Sequence, residues 1–101
     1  MGVVAAKGNP LLFLSEYRFR PGLSKADTAN LMTLFGERGP EPGTIAHYVK
    51  VGGGGGLVIS DQDDAAQAYA SSLAYAEYLE FTVTPLLSIE DAVGPIAAYL
   101  A

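Results

Sequence analysis

The stretch that decides the fold is HYVKVGGGGGLVISD, residues 47–61, in which five consecutive glycines separate two runs containing β-branched residues. Phosphate-binding loops of the Walker and Rossmann types place their glycines between a strand and a helix. Here LVIS, a strand pattern, follows, and Leu57 stands where a Walker loop requires lysine. The run therefore predicts a mobile hairpin loop in which glycine supplies positive φ angles. Anion binding by the backbone amides of its tip is the alternative.

The residues before this hairpin predict a strand and a capped helix. Residues 11–19, LLFLSEYRF, mix an apolar run with alternation, as a central strand does. Ser24 followed by Asp27 is an acidic variant of the capping box, and Gly36 and Gly39 are expected to stop the helix. The buried stripe of this helix is predicted to be Leu31, Leu34 and Phe35.

The residues after the hairpin predict a second helix, a fourth strand and a short C-terminal helix. An acidic first turn at residues 61–64 suits the positive end of a helix dipole. Pro85 in the fourth strand favours an edge position or a strand end. The last helix is expected to be interrupted at Gly94 and Pro95. The buried face of the second helix is predicted to be Ala65, Tyr69, Leu73 and Ala76.

This element order predicts an α+β protein with the ferredoxin-like βαββαβ plan, a four-stranded antiparallel sheet and a short C-terminal helix. The 101 residues suffice for one core, so we expect residues 11–101 to form a single domain after an N-terminal arm at residues 1–10.

Alternation along the strands divides the predicted sheet into two faces. The first is almost wholly apolar and is expected to meet the helices; it includes Phe13, Tyr17, Leu57, Ile59, Phe81 and Val83. The second is mixed and includes Leu12, Leu14, Glu16, Arg18, Tyr48, Val58 and Ser60. Helices on one side leave this second face uncovered, and an identical sheet related by a two-fold axis would cover it. We therefore expect a homodimer through the sheet face, that is, a dimeric α/β barrel.

Composition excludes several classes of partner and site. The net charge of −5 opposes binding to nucleic acid and to anionic membranes. Cysteine is absent and there is one histidine, so neither zinc-thiolate sites nor histidine clusters are expected. The sequence has no run of about 18 apolar residues and no secretory signal, so we expect a cytoplasmic protein without a membrane partner, metal or cofactor.

His47 is the first candidate for chemistry. Strand parity places it with the helix-facing set, near Tyr17 and Ser15 if the register allows. Histidine titrates near neutral pH, so it could act as a general base toward a small apolar substrate. The alternative is a hydrogen-bonded histidine without catalytic function.

A second candidate group lies on the mixed face. Arg18 and Lys50 could orient a ligand carboxylate there, while Tyr48 supplies a hydroxyl and a ring. The alternative is that Glu16 and its basic neighbours form cross-strand or intersubunit salt bridges. The predicted ligand-binding residues are Glu16, Tyr17, Arg18, His47 and Tyr48.

Two stretches resemble a known family. YAEYLEFTVTPLLSIEDA (residues 75–92) and FGERGPEPGTIAHYVKV (residues 35–51) are similar to the bacterial family known as domain of unknown function 3303. The resemblance implies a relationship to dimeric α/β-barrel proteins, which include cofactor-independent monooxygenases, haem-degrading enzymes and isomerases. The chain departs from that pattern in having no tryptophan, with Tyr48 and Tyr75 at or near places where relatives often carry one.

Three functions are compatible with these patterns. The first is a homodimeric α/β-barrel protein that binds a small, partly apolar molecule or serves as an accessory subunit without catalysis. The second is a cofactor-independent monooxygenase or isomerase-like enzyme with His47 as base and Tyr17 or Tyr48 orienting the substrate. The third is a purely structural interaction protein.

Overall fold

The computed structural model describes residues 11–101 and confirms the ferredoxin-like plan. The strands are β1 (Leu11–Phe19), β2 (Thr44–Val49), β3 (Gly55–Gln62) and β4 (Leu79–Leu86), and the helices are α1 (Lys25–Arg38), α2 (Ala65–Ala74) and α3 (Ile89–Leu100). All neighbouring strands are antiparallel, in the order β2-β3-β1-β4. The N-terminal arm predicted for residues 1–10 lies outside the described residues.

The capping box predicted for α1 is confirmed. The Ser24 hydroxyl accepts a hydrogen bond from the Asp27 amide at 3.0 Å, and the Asp27 carboxylate accepts one from the Ser24 amide at 3.0 Å. These contacts satisfy two donors at the helix start. The helix then packs Leu31 against Tyr75 and Leu79, which form the centre of the core. Leu34 and Phe35, also predicted for the buried stripe, pack against this cluster.

The glycine run forms a shorter loop than its composition predicts. The Gly53 amide donates to the Lys50 carbonyl at 2.9 Å and closes a turn, and Gly53 and Gly54 lead from it into β3 with φ angles of +87° and +85°, which favour glycine. Gly55 and Gly56 are instead the first two residues of β3, where they pair with Arg18 and Tyr17. The prediction that β3 begins at Leu57 was therefore wrong.

The observed register corrects the predicted faces of the sheet. In an antiparallel pair, directly opposed residues share a face. Ser60 lies opposite Phe13, while Leu57 lies opposite Glu16. Val58 and Ser60 therefore belong to the helix-side face, and Leu57 and Ile59 to the open face, the reverse of the prediction for these four residues. The helix-side face contains Phe13, Ser15, Tyr17, Phe19, His47, Val58, Ser60, Gln62, Phe81 and Val83. The open face contains Leu12, Leu14, Glu16, Arg18, Ala46, Tyr48, Leu57, Ile59, Glu80, Thr82, Thr84 and Leu86.

The buried face of α2 also differs from the prediction. The helix starts after Asp64, whose side chain accepts a hydrogen bond from the Gln67 amide. Ala68 is buried, whereas Tyr69 and Leu73 are exposed. The predicted face was wrong because the inward stripe of α2 consists of Ala68 and the half-buried Ser71 and Ser72, small or polar residues that an apolar pattern does not mark.

The C-terminal helix α3 is continuous, because Pro95 lies within it and does not interrupt it as predicted. Its large apolar side chains are 47% to 86% exposed; they are Ile89, Val93, Ile96, Tyr99 and Leu100. None of the helices within residues 11–101 has the length and hydropathy required to cross a bilayer.

Candidate functional site

A cavity of about 640 Å³ lies between the helix-side face and the helices α1 and α2. Its floor is formed by β1, β2 and β3, and its walls come from the two helices and the turn after α2. Most of the side chains lining it are apolar or aromatic, among them Leu31, Met32, Phe35, Val58, Tyr75 and Phe81. Concave, mainly apolar pockets of this size with a few polar groups are typical small-molecule sites.

A hydrogen bond between Tyr17 and His47 is the polar centre of this cavity. The Tyr17 hydroxyl lies 2.7 Å from His47 Nε2, although β1 and β2 are separated by β3. Gly56 on β3 pairs with Tyr17 and makes this possible, since a Cβ at Gly56 would lie 2.6 Å from the Tyr17 hydroxyl oxygen. The last glycine of the run therefore leaves room for the ring that reaches His47.

Aromatic rings fix the positions of both partners. His47 makes an edge contact with Phe35 of α1 at 5.9 Å and with Tyr17 at 5.7 Å between ring centroids. Tyr17 also contacts Phe81 of β4 at 6.2 Å. Such edge and tilted contacts orient aromatic side chains. The pair is thus held by one ring from helix α1 and one from strand β4.

Burial raises the pKa of the Tyr17 hydroxyl above its ordinary value, because the phenolate would lose hydration. The hydroxyl therefore stays protonated at neutral pH. It donates to Nε2 when the imidazole proton is on Nδ1, and it accepts from Nε2 in the other tautomer. The pair can consequently present either a donor or an acceptor to a bound molecule.

Two polar residues on β3 lie further along the cavity floor. Ser60 is 3% exposed and Gln62 is 6% exposed, and both line the cavity. Neither position was a predicted site residue. Alternation separates Val58, Ser60 and Gln62 from Leu57 and Ile59 but does not say which set faces the helices; the pairing of Ser60 with Phe13 decides it.

The charged residues at the edge of the cavity are paired or exposed. Glu41 accepts hydrogen bonds from Arg38 at 2.9 Å and from the Ser71 hydroxyl at 3.0 Å. The hydrogen bond and the charge of Glu41 raise the pKa of Arg38, whose guanidinium also lies 5.7 Å from the centre of the Tyr75 ring. Lys50 is exposed at the mouth, beside the glycine turn.

The comparison with known families identifies the chain. A family model described as Domain of unknown function matches residues 11–100. The chain belongs to the DUF3303 family. This match confirms the family suggested by the resemblance of the two sequence stretches. No curated protein matches the chain.

The other predicted site residues of this DUF3303 chain lie away from the Tyr17–His47 pair. Tyr48, which is 65% exposed, belongs to the open face with Glu16 and Arg18. Arg18 forms a cross-strand salt bridge of 2.7 Å with Glu80, its direct neighbour on β4. The structure therefore brings Tyr17 and His47 together and places Glu16, Arg18 and Tyr48 on the opposite face.

The DUF3303 cavity offers hydrogen-bonding groups to a bound molecule. Within residues 11–101, acidic residues and the histidine form no group of three that could hold a metal ion. The polar groups that line the cavity are hydroxyl, imidazole and amide groups, with the carboxylate of Glu41 and the ammonium group of Lys50 at its edge. Such an arrangement can orient a neutral ligand or move a proton at Nε2 of His47.

Proposed function

We propose that the protein is a homodimer in which each subunit binds a small, partly apolar molecule between the helix-side face and the helices. The observation that carries this proposal is the aromatic-lined cavity with the Tyr17–His47 hydrogen bond in its floor. The apolar walls would supply most of the affinity through area removed from water. The polar pair would fix the orientation of the ligand.

The homodimer part of the proposal is supported by the apolar surface that residues 11–101 leave uncovered. Leu12, Leu14, Leu57 and Ile59 are only half-buried on the open face, and Tyr48 is exposed. A second copy related by a two-fold axis would place the same apolar residues against each other. An interface of standard size would remove roughly 800 Å² from each subunit.

A pair of variants on α2 tests ligand binding. Ala68 is buried and lines the cavity, whereas Ala70, on the same helix, is exposed and lies outside it. We expect Ala68→Phe to fill the cavity and to abolish binding of the neutral fluorophore N-phenyl-1-naphthylamine, while Ala70→Phe binds like the wild type. Circular dichroism and melting curves would establish that both variants fold.

Saturable binding by the wild type and by Ala70→Phe, but not by a folded Ala68→Phe, would support the proposal. Equal binding by both folded variants would place the probe outside the cavity and contradict it. Absence of saturable binding by the wild type, together with no small molecule released from the purified protein in mass spectrometry, would favour the purely structural alternative.

The hydrogen bond of 2.7 Å at Nε2 favours one second candidate, a cofactor-independent enzyme of the monooxygenase or isomerase type. In it, His47 would take a proton from the substrate and Tyr17 would orient the substrate beside it. The test is turnover by the wild type in a panel of phenols and small acids, repeated with His47→Gln. Lost turnover with an unchanged melting temperature supports the enzyme, and absence of turnover by the wild type contradicts it for these substrates.

A further inference from the structure

We infer that Ser60 and Gln62 form a second recognition subsite in the cavity, which binds an uncharged hydrogen-bonding group such as a carboxamide. This inference rests on the proposed function and specifies its ligand. The molecule would have a flat apolar centre, a hydroxyl at the Tyr17–His47 end and a neutral amide or carbonyl group at the Ser60–Gln62 end.

Ser60 and Gln62 are almost fully buried, yet neither side chain is hydrogen-bonded to another of the described residues. Within residues 11–101, no fully enclosed polar side-chain atom lacks a partner. Both residues line the cavity, so a group bound there lies beside their hydroxyl and amide groups. Buried polar groups are normally hydrogen-bonded, so a partner is expected in the cavity.

The strand register sets the distance between the two subsites. Val58 lies opposite His47, and Ser60 and Gln62 follow it at alternate positions on the same face. Each step of two residues along a strand is about 7 Å. The second subsite therefore begins roughly 7 Å from the level of His47 and extends to roughly 13 Å. A fused two-ring aromatic compound with substituents at opposite ends spans this range.

The charges around the cavity favour a neutral ligand. Glu41 is held by Arg38 and Ser71, and Lys50 lies in solvent at the mouth. A serine hydroxyl and a glutamine amide both donate and accept, so together they match an amide, which does the same. A carboxylate at this position would be buried without a counter-ion, at a high cost in free energy.

Three compounds with the same two-ring skeleton test the subsite by isothermal titration calorimetry. They are 2-naphthol, 6-hydroxy-2-naphthamide and 6-hydroxy-2-naphthoate. We expect the wild type to bind the naphthamide roughly three- to tenfold more tightly than 2-naphthol, as one added hydrogen bond does. The naphthoate should bind more weakly than both.

Variants then test whether the tighter binding of the naphthamide depends on Ser60 and Gln62. Ser60→Ala and Gln62→Leu should each remove most of the preference for the naphthamide and leave the affinity for 2-naphthol within about twofold. Thr33→Ala, on the exposed side of α1, is the control and should keep the preference. Without ligand, both subsite variants should melt at the wild-type temperature or above, because an apolar side chain replaces an unpartnered polar one.

The outcomes separate this inference from the proposed function. Binding of 2-naphthol without a preference for the naphthamide, or a preference that survives both substitutions, would overturn the subsite alone. A lower melting temperature of both variants without ligand would assign the residues a structural role and would also overturn it. Absence of binding by all three compounds would overturn the subsite and the proposed cavity function together.

Discussion

At the scale of single residues, the most informative contact joins Tyr17 and His47 across an intervening strand. It depends on three features that are distant in sequence: a tyrosine on β1, a glycine on β3 and a histidine on β2. Side chains two strands apart meet only when the residue between them is small. The contact is therefore a specific consequence of Gly56.

The hydrogen bond should contribute measurably to stability. Tyr17→Phe removes the hydroxyl and keeps the ring, so we expect the free energy of unfolding to fall by about 1 kcal/mol. Tyr69→Phe, at an exposed position on α2, is the matched control and should change it by less than about 0.5 kcal/mol. Urea denaturation measures both. A double-mutant cycle with His47→Leu that gives no coupling energy would contradict a stabilising bond.

The raised pKa of Tyr17 predicts a loss of stability at alkaline pH. The pKa of the folded state lies above the ordinary value of about 10, so the unfolded chain releases its proton first. The folded state then binds more protons, and stability falls as the pH rises from about 10 through the folded pKa. Burial also raises the pKa of Tyr75, which adds to the effect.

Urea denaturation between pH 8 and pH 11 tests this dependence. We expect Tyr17→Phe to make the loss of stability above pH 10 less steep, and Tyr75→Phe to do the same. Tyr69→Phe is again the control and should reproduce the wild-type slope. If the free energy of unfolding falls equally steeply with pH in the wild type and in all three variants, neither the Tyr17 nor the Tyr75 hydroxyl contributes to the loss of stability.

At the scale of elements, the glycine hairpin contains positions with different physical requirements. Gly53 and Gly54 need positive φ angles, while a Cβ at Gly55 would overlap the Tyr17 carbonyl. Gly52 has neither restriction. Its φ angle lies outside the left-handed region, and no atom lies within 4 Å of the place that a Cβ would take. The five glycines thus divide into one tolerant position in the turn, two positions with positive φ angles and two positions in β3.

Alanine substitutions distinguish these groups. Gly52→Ala should leave stability unchanged or raise it by up to about 1 kcal/mol, because it restricts the unfolded chain. Gly53→Ala and Gly54→Ala should each cost on the order of 1–2 kcal/mol through backbone strain. Gly55→Ala should cost more than either, since the overlap is with backbone. Thermal melts rank the four variants, and equal melting temperatures would contradict this division.

The elements also show how far the sequence determines the structure. The element order and the cap at Ser24 follow from local patterns, and the prediction of both was confirmed. The faces of β3 did not follow, because alternation divides its residues into two sets and only the register against β1 decides which set meets the helices. Ser60 and Gln62 were consequently missed, whereas alternation placed Tyr17 and His47 together on the helix-side face, as observed.

At the scale of the whole molecule, two apolar surfaces remain without a partner in residues 11–101. The corrected register makes the open face more apolar than the sequence prediction, because Leu57 and Ile59 replace Val58 and Ser60 there. Helix α3, which directly follows β4 in the sequence, exposes a row of large apolar side chains. Exposed apolar surface of this extent on a small protein is typical of an interface.

We predict that light scattering at micromolar concentration gives twice the chain mass of 10.5 kDa. Leu14 lies half-buried in the open face, so Leu14→Glu would place two desolvated charges across the two-fold axis and should shift the equilibrium toward monomer. Lys25→Glu, at the exposed start of α1, is the control and should remain dimeric. Truncation after Ser88 removes α3 and separates its contribution from that of the sheet. If the sheet face alone forms the interface, the truncated chain stays dimeric and only Leu14→Glu dissociates; a wild-type mass equal to one chain would contradict the homodimer.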